Sequence, residues 1–240
     1  MYAHKDADRI PIIDGPWGTT IERWHREGMP TDIGYVEYFG LDKTVGIGAD
    51  NGPRWPRQII EETEEYIIEK TPWGVTYRNW KHIASTPEYL DFTVRDRDTW
   101  REAKERMTPD PDRIPWDWIK RDYKSWREAG CWINYGFWFG FDITHAHMVG
   151  TENILMMLAE DPEWCAEMFN HELDVDIALF EQIWDAAITP TRSSGRTHGM
   201  ATLLQPSQLL LLTMQRTTTM IRLQSSSIST AGTTVVLVTV

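Results

Sequence analysis

The stretch "HMVGTENILMMLAEDPEWCAEMF" (residues 147–169) predicts two helices in immediate succession. Residues 152–160 form a short apolar helix, and Asp161 can cap a second helix whose first position is Pro162. In the second helix, apolar side chains recur with the period of an α-helix, namely Met168, Phe169, Leu173, Ile177, Phe180 and Trp184. The spacing therefore predicts a long helix that begins after Asp161 and buries one side.

Three short apolar segments predict β-strands, at residues 10–14, 44–50 and 131–139. The last of them, "CWINYGFWF", is apolar apart from Asn134, which is typical of a strand that is covered on both faces of a parallel sheet. Strands that alternate with helices indicate an α/β fold with a parallel sheet.

Helices are predicted between and after these strands. The first begins near Thr19, whose side chain together with Glu22 matches a capping box, and it ends at Gly28, a favourable C-terminal cap. The remaining helices are predicted at residues 56–65, 97–107, 116–130 and, as a short segment, 145–148.

The segment "EYIIEKTPWGVTYRNW" (65–80) interrupts this order with two β-rich runs around a turn. Pro72 at the second turn position and Gly74 at the fourth suit a type I turn. We therefore expect a β-hairpin that is an excursion from the main sheet.

The composition disfavours several classes of partner. A formal net charge of −12 disfavours nucleic acid and anionic membranes, because both repel an acidic protein. Cys131 and Cys165 are too few for a disulfide framework and lack the spacing of metal ligands, which fits a reducing compartment. We find no signal peptide, and no apolar run reaches the ~18 residues of a membrane span. We therefore expect a cytoplasmic protein that binds neither nucleic acid nor membrane.

Four blocks of this sequence together resemble the uroporphyrinogen decarboxylase superfamily, namely "RIPIIDGPWGTTIERWHREGMP" (9–30), "YVEYFGLD" (35–42), "GIGADNGPRWP" (46–56) and the helix pair of 147–169. The hairpin is similar to that of the corrinoid-methyltransferase-like branch. The resemblance covers residues 9–186 and implies a (β/α)8 TIM barrel. Residues 1–186 would supply only the N-terminal half of that barrel, with the hairpin as an excursion, so the barrel would be incomplete.

The resemblance places the chemistry of such a barrel at the carboxyl ends of its strands. It implies catalytic roles for Asp50, which lies near the decarboxylases' substrate-binding Asp, and for His147, which falls where they have an active-site Tyr. Asp142 is a third catalytic candidate. The candidates for substrate binding are Trp17, Arg54 and His145.

Each of these residues also has a structural interpretation. Asp50 and Asp142 can cap helices, the two histidines can be packing or capping residues, and most Trp side chains fill a core. His145 and His147 are two residues apart, so on a helix they do not share a face, and no third ligand is visible. No metal site is therefore predicted. Cys165 is expected to be a buried thiol.

Three functions remain open. The resemblance implies first a full-length parent that is a methyltransferase, which uses zinc and a corrinoid and has a corrinoid protein as partner. The second function is a decarboxylase of porphyrin biosynthesis, in which Asp50 holds the pyrrole nitrogens. Only Arg23 could replace the decarboxylases' carboxylate-binding arginines, so methyl transfer fits better. The third is a non-catalytic α/β protein that binds an aromatic or sugar ligand.

These functions share a small-molecule substrate or ligand. The zinc of the methyltransferase branch is held by a His-x-Cys and a later Cys, and the resemblance implies these ligands beyond the part of the chain that it covers. We therefore expect no cofactor bound by this chain itself.

Residues 187–240 differ in chemistry from the rest of the chain. From Ala186 onward there is no Asp, Glu, Lys, Phe, Tyr or Trp, whereas all 13 Trp and all 36 acidic residues precede it. Such a tail is a disordered segment, a separate small domain or the product of a reading-frame error near codon 186. A frame restored by one base permits "G-Y-H-P-D-A-(apolar)-(apolar)-W", which is similar to a strand of the superfamily. On this hypothesis the tail has no evolved function and the fragment is inactive.

Sequencing of the source DNA across codons 180–200 and beyond tests the frameshift hypothesis. We expect an additional base that opens a frame with Pro-Asp-Ala, Trp and Asp. That frame should continue for about a hundred codons, because a complete barrel typically has ~250 residues. An unchanged DNA sequence would contradict the hypothesis and would weaken the function that the resemblance implies.

Overall fold

The computed structural model describes residues 9–136, 138–186 and 188, and these form a mixed α/β fold. The strands are β1 (Thr44–Ile47), β2 (Gln58–Glu62), β3 (Tyr66–Lys70), β4 (Val75–Trp80), β5 (Glu88–Phe92) and β6 (Trp132–Tyr135). The helices are α1 (Gly18–Arg26), α2 (Tyr35–Tyr38), α3 (Arg97–Arg106), α4 (Trp116–Glu128), α5 (Phe141–Ile143), α6 (Thr151–Glu160) and α7 (Pro162–Asp185). A 3₁₀ turn occupies Pro111–Arg113, and a π-helix occupies Thr144–Met148.

Strands β1 and β6 form a two-stranded parallel sheet, in which Thr44 pairs with Trp132 and Ile47 pairs with Tyr135. Ile47 and Tyr135 are buried in the hydrophobic core. Both strands were expected from the sequence, but each is shorter than predicted, since residues 48–50 and 138–139 are not strand. β6 is not covered on both faces as predicted, because Asn134 is exposed. The α/β class with a parallel strand pair is confirmed. In the described part of the chain, however, neither sheet closes into a barrel.

The strand predicted at residues 10–14 is wrong, because this segment has no strand structure. Its backbone bonds to Asp42 instead. The Ile12 N–H donates to the Asp42 carboxylate (2.7 Å), and the Ile12 carbonyl accepts from the Asp42 N–H (2.8 Å). Arg9 forms an ion pair with the same carboxylate at 2.5 Å. These bonds occupy groups that a sheet would need, and the three isoleucines of the segment are exposed.

Strands β2 to β5 form a four-stranded antiparallel sheet in sequence order. The predicted hairpin is confirmed as β3 and β4, and in its turn the Gly74 N–H donates to the Thr71 carbonyl at 2.9 Å. The helix predicted at residues 56–65 is wrong, because β2 lies there. Its Ile59 and Ile60 favour extended backbone, and pairing of β2 with β3 outweighs the local helical pattern.

Helix α1 is confirmed as a helix but not in its predicted cap. Its N-cap is Trp17, which makes no side-chain cap bond, so Thr19 lies inside the helix and the capping box is absent. At the other end Gly28 has a φ of +113°, and the N–H groups of Gly28 and Met29 donate to carbonyls of the last turn. This is the Schellman arrangement, which favours glycine, so the predicted C-terminal cap is confirmed.

Helix α7 is the longest element of the described chain and contributes many core side chains. Asp161 caps it as predicted, because the Asp161 carboxylate accepts from the Trp164 N–H at 3.2 Å. Cys165 is buried, as expected, and so are the predicted positions Met168, Phe169, Leu173 and Phe180, whereas Ile177 and Trp184 are partly buried. The helices predicted at 97–107, 116–130 and 152–160 correspond to α3, α4 and α6.

The antiparallel sheet contacts the π-helix that follows β6. The Val94 N–H, just after β5, donates to the Met148 carbonyl at 3.2 Å. Gly150 then has a φ of +92°, and a Cβ atom at this position would lie 2.8 Å from ring atoms of Phe92. Glycine therefore allows the chain to turn from the π-helix into α6 directly against β5. The helix predicted at 145–148 is confirmed, with π geometry.

The predicted tail, residues 187–240, lies outside the described residues except for Ile188. Ile188 is buried, and its carbonyl accepts a hydrogen bond from the Tyr135 hydroxyl. The frameshift hypothesis therefore stays a prediction. Among the helices of residues 9–136 and 138–186, none combines the length and the apolar character that a bilayer crossing requires.

Gly150→Ala is expected to lower the free energy of unfolding by roughly 2–4 kcal/mol, because it combines a disfavoured positive φ with overlap against the Phe92 ring. Urea denaturation followed by circular dichroism measures the change. Gly28→Ala is the matched control, since φ is +113° there but no atom lies within 4 Å of the added Cβ. It should lose only the backbone contribution, about 1 kcal/mol. Equal losses in both variants would contradict the steric role of Phe92.

Candidate functional site

The loops after β1 and β6 meet helix α7 at one buried amide. The Asn51 side-chain nitrogen donates to the Trp138 carbonyl and to Asp176 Oδ1, in both cases at 2.7 Å. Because an amide NH₂ has two hydrogens, these two bonds use its full donor capacity. Asn51 and Asp176 are 6% and 3% exposed, so water does not compete for the bonds. The amide thus joins two loops and a helix that are distant in sequence.

A second polar contact, one turn earlier on α7, holds the start of the segment that contains the π-helix. The Gly140 N–H donates to Glu172 Oε2 at 2.6 Å. The Thr144 hydroxyl lies 2.8 Å from both the Gly140 carbonyl oxygen and Glu172 Oε1. The single hydrogen of this hydroxyl can be donated to either oxygen. Both oxygens of Glu172 therefore have a partner in residues 140–144.

Burial raises the pKa of both carboxyl groups on α7. The pKa of Glu172 rises to about 8, and the bonds from Thr144 and Gly140 offset part of the effect of burial. The pKa of Asp176 is raised well above its ordinary value, first by burial and also by Glu172, against the opposing bond from Asn51. Glu172 is therefore mainly protonated at neutral pH, and burial favours the neutral form of Asp176 in the same direction.

His147, on the π-helix, is surrounded by aromatic rings from three other segments. Its imidazole centroid lies 6.1 Å from that of Trp73, 6.4 Å from that of Tyr89 and 6.4 Å from that of Trp138. The Trp138 ring is inclined by only 29° to the imidazole, whereas the Tyr89 ring stands at 87°. Aromatic rings therefore lie around His147, the side chain of this cluster that can exchange a proton near neutral pH.

The pKa of His147 is lowered from its ordinary value, mainly because burial disfavours the charged imidazolium. Two other charges act in opposite directions, since Asp142 raises this pKa and His145 lowers it. At pH 7 the ring is therefore neutral and offers one hydrogen-bond donor and one acceptor. The π-helical backbone that carries it is a geometry found frequently at functional sites.

A cavity of about 380 Å³ lies beside His147, next to the antiparallel sheet. Its other lining residues are Arg57, Glu69, Thr71, Pro72, Trp73 and Tyr77. The volume falls within the range of small-molecule sites, roughly 300–1,000 Å³. Flat rings with a few polar groups are also the usual lining of such sites.

The polar groups of the cavity differ in their hydrogen bonding. Glu69 is buried, and its carboxylate accepts from Arg57 Nε in an ion pair and from the Tyr77 hydroxyl at 3.0 Å. The charge of this carboxylate is thus balanced inside the protein. Thr71 Oγ1 is buried and, among the described residues, has no hydrogen-bond partner. Buried hydroxyl groups normally have a partner, so this one is an exception.

Asp50 and Arg54, two predicted site residues, bind each other. Arg54 Nε donates to Asp50 Oδ2 at 2.6 Å, and the Gly52 N–H donates to Asp50 Oδ1 at 3.1 Å. The buried Arg113 guanidinium donates to the carbonyls of Asp50 and Gly52 at 3.0 and 2.8 Å. The structure therefore places this pair in the loop that presents Asn51, and the roles predicted for the pair in catalysis and substrate binding stay predictions.

The other predicted site residues, Asp142, His145 and Trp17, are not among the residues that line the cavity. Asp142 is highly exposed and stands 3.7 Å from His145 Nε2, and the His145 ring is stacked on Phe141 with centroids 4.9 Å apart. Trp17 is exposed at the start of α1. Of the six predicted site residues, His147 alone lines the cavity.

Sequence reasoning missed Asn51, Glu172 and Asp176. For the two acids a signal was present, because they occupy the same helical stripe as the buried Phe169, Leu173 and neighbouring apolar positions. Acidic residues are almost never fully buried unless they are paired or protonated, so their place in an apolar stripe marks a special environment. For Asn51 no local signal existed, because both of its partners are distant in sequence.

Within the part of the chain that the structure describes, no three His, Cys, Asp or Glu side chains come together as a metal site. The described residues therefore do not fit the zinc ion that the resemblance implies. No protein-family model, curated protein or solved structure matches this chain.

Glu172→Gln is expected to reduce the pH dependence of stability between pH 5 and pH 8. In the wild type the raised pKa of Glu172 makes the folded state hold a proton that the unfolded state releases above its ordinary pKa. This contribution is complete below the ordinary pKa and is lost as the pH rises towards about 8. Each such proton changes the free energy of unfolding by about 1.4 kcal/mol per pH unit. Glutamine does not titrate, so the variant lacks this contribution.

Urea unfolding at several pH values measures this slope. Glu181→Gln, an exposed acid on the same helix, is the matched control and should keep the wild-type slope. Asp176 remains in both variants and also contributes a raised pKa, so a residual slope is expected. A Glu172→Gln protein with the full wild-type slope would contradict the assignment.

Proposed function

We propose that this protein binds a small, uncharged, planar molecule in the cavity beside His147. The observation that carries the proposal is the position of the neutral His147 imidazole among three aromatic rings at a cavity of about 380 Å³. We further propose that this site belongs to an enzyme with the (β/α)8 architecture of the uroporphyrinogen decarboxylase superfamily, acting in methyl transfer.

The shape of the ligand follows from the walls. Trp73, Tyr77 and His147 line the cavity with flat rings, and rings of this kind prefer to stack on other planar groups. A planar ligand can therefore contact more of this lining than a puckered one can. Arg57, Glu69 and Tyr77 add polar groups to the lining, so a ligand with one or two polar substituents fits better than a pure hydrocarbon.

The charge of the ligand follows from the ionic balance. Glu69 is the buried anion of the cavity, and Arg57 already neutralises it. His147 is uncharged at pH 7, because burial lowers its pKa. A charged ligand would lose its hydration and find no unpaired counter-charge among the described lining residues. An uncharged ligand has no such cost.

His147 is the group best suited to act on a bound ligand. Its neutral ring can accept a proton from a ligand hydroxyl or nitrogen, and the resulting imidazolium can return it. Asp142 favours the imidazolium form, so its charge supports the proton transfer. We propose His147 as the general base of this site.

Two observations support the barrel as a proposal, and we further propose that the enzyme is cytoplasmic. β1 and β6 are parallel, and the loops at their carboxyl ends carry Asn51 and Trp138. Parallel barrels build their sites from such loops.

The methyl-transfer chemistry would use zinc ligands and a corrinoid partner protein that the described residues do not supply, so we derive no step through either. The decarboxylase is less favoured, because Asp50 already binds Arg54 and Gly52. The non-catalytic binding protein would use the same cavity without turnover.

Titration of the protein with phenol, followed by NMR, tests the proposed site. Phenol is planar and uncharged and has one hydroxyl group, so it should bind saturably and shift the signals of His147 and Trp73. Trp73→Ala should weaken binding about tenfold, corresponding to ~1.4 kcal/mol of lost ring contact. Below the lowered pKa of His147 the imidazolium no longer accepts a hydrogen bond, so the affinity should fall in acid.

Trp17→Ala is the matched control, because Trp17 is exposed and lies outside the cavity lining. It should bind phenol like the wild type. Glucose serves as the puckered probe and should cause no shifts. Absence of phenol binding would overturn the proposal, and specific binding of glucose would favour the sugar-binding alternative.

A further inference from the structure

We propose that Asn51 and Asp176 are positioning residues, which hold Trp138 against His147, a residue that lines the cavity. This inference rests on the proposed function where it concerns ligand affinity. Its geometric part, the placement of Trp138 over His147, can be measured without a ligand.

The hydrogen bonds of Asn51 fix the backbone of Trp138 and not merely its side chain. One amide hydrogen binds the Trp138 carbonyl and the other binds Asp176 Oδ1, both at 2.7 Å. Asp176 is on helix α7, which is anchored in the core, whereas Trp138 itself is 63% exposed. Packing alone therefore holds the indole weakly. The Asn51 amide links the Trp138 backbone to α7 and so fixes its position.

The unusual feature of Asp176 is that it makes so few hydrogen bonds for a buried acid. Its Oδ1 accepts from Asn51, while its Oδ2 is buried and has no partner among the described residues. An acid in this position costs stability relative to an apolar side chain of similar size. Its one hydrogen bond among the described residues orients the Asn51 amide. A buried acid that costs stability but orients a neighbouring side chain is expected of a positioning residue.

Glu172 has a different task, although it lies one turn away on the same helix. Both of its oxygens have partners, Gly140 and Thr144, which belong to the segment that leads into the π-helix. Asp176 therefore acts on the Trp138 side of the contact between Trp138 and His147, and Glu172 acts on the His147 side. The charged groups that act on the pKa of His147 are Asp142 and His145, and neither is altered in the experiment below.

The experiment compares Asp176→Leu with Asp176→Asn by NMR titration of the His147 ring in the full chain. Asparagine keeps an acceptor for the Asn51 amide, so the His147 titration midpoint should stay as low as in the wild type. Leucine removes the acceptor, so Trp138 should move away and expose the imidazole to water. The midpoint should then rise towards the ordinary value of about 6.5.

Phenol affinity provides the second readout and should fall about tenfold in Asp176→Leu but not in Asp176→Asn. Asp185→Leu, an exposed position at the end of the same helix, is the control and should change neither readout. Should Asp176→Leu fail to fold, Asn51→Ala removes both donors from the opposite side and must raise the midpoint in the same way.

A folded Asp176→Leu or Asn51→Ala protein with an unchanged His147 midpoint would overturn the positioning role. A merely structural role would lower the unfolding temperature and leave the midpoint of the folded protein unchanged. If the wild type does not bind phenol, the proposed function fails, yet the midpoint still decides the role of Asn51 and Asp176.

Discussion

The two hydrogen bonds of the Asn51 amide are the constraint on which the candidate site depends. They connect a loop after a parallel strand, the loop after its neighbouring strand and the long helix α7. Because the amide is buried, each bond replaces a contact with water that is no longer possible, and loss of either partner leaves an unsatisfied group. The position of Trp138, and with it the environment of His147, follows from this single side chain.

The same region shows how an apolar core can contain acids. Glu172 and Asp176 lie in the buried stripe of α7, where burial raises both pKa values and so favours the neutral carboxyl groups. In that form a carboxyl group is a hydrogen-bonding partner and not a charge. The region therefore loses stability as the pH rises and Glu172 loses its proton. Burial has the opposite consequence for His147, which it keeps uncharged at the cavity.

Predictions from the sequence succeeded where a few neighbouring residues contain the whole physical cause. Asp161 before Pro162, Gly28 after α1 and the turn at Thr71 to Gly74 act over three or four residues, and all three are confirmed. Apart from the local capping box at Thr19, which is absent, predictions failed where the partner is remote. Residues 10–14 bond to Asp42 and residues 56–65 pair with β3, and neither partner is visible in the local pattern.

The sequence by itself determined the α/β class, the buried stripe of α7 and the hairpin, whereas the role of His147 was implied by a resemblance and stays a proposal. Tertiary structure alone decided that Asp50 binds Arg54, that His147 lies between Trp73 and Trp138, and that Asn51 reaches Asp176. The physical reason is the distance along the sequence between the residues that interact. Helical period, caps and turns are set by backbone geometry over one or two turns, whereas a hydrogen bond or ring contact between distant residues exists only after the chain has folded.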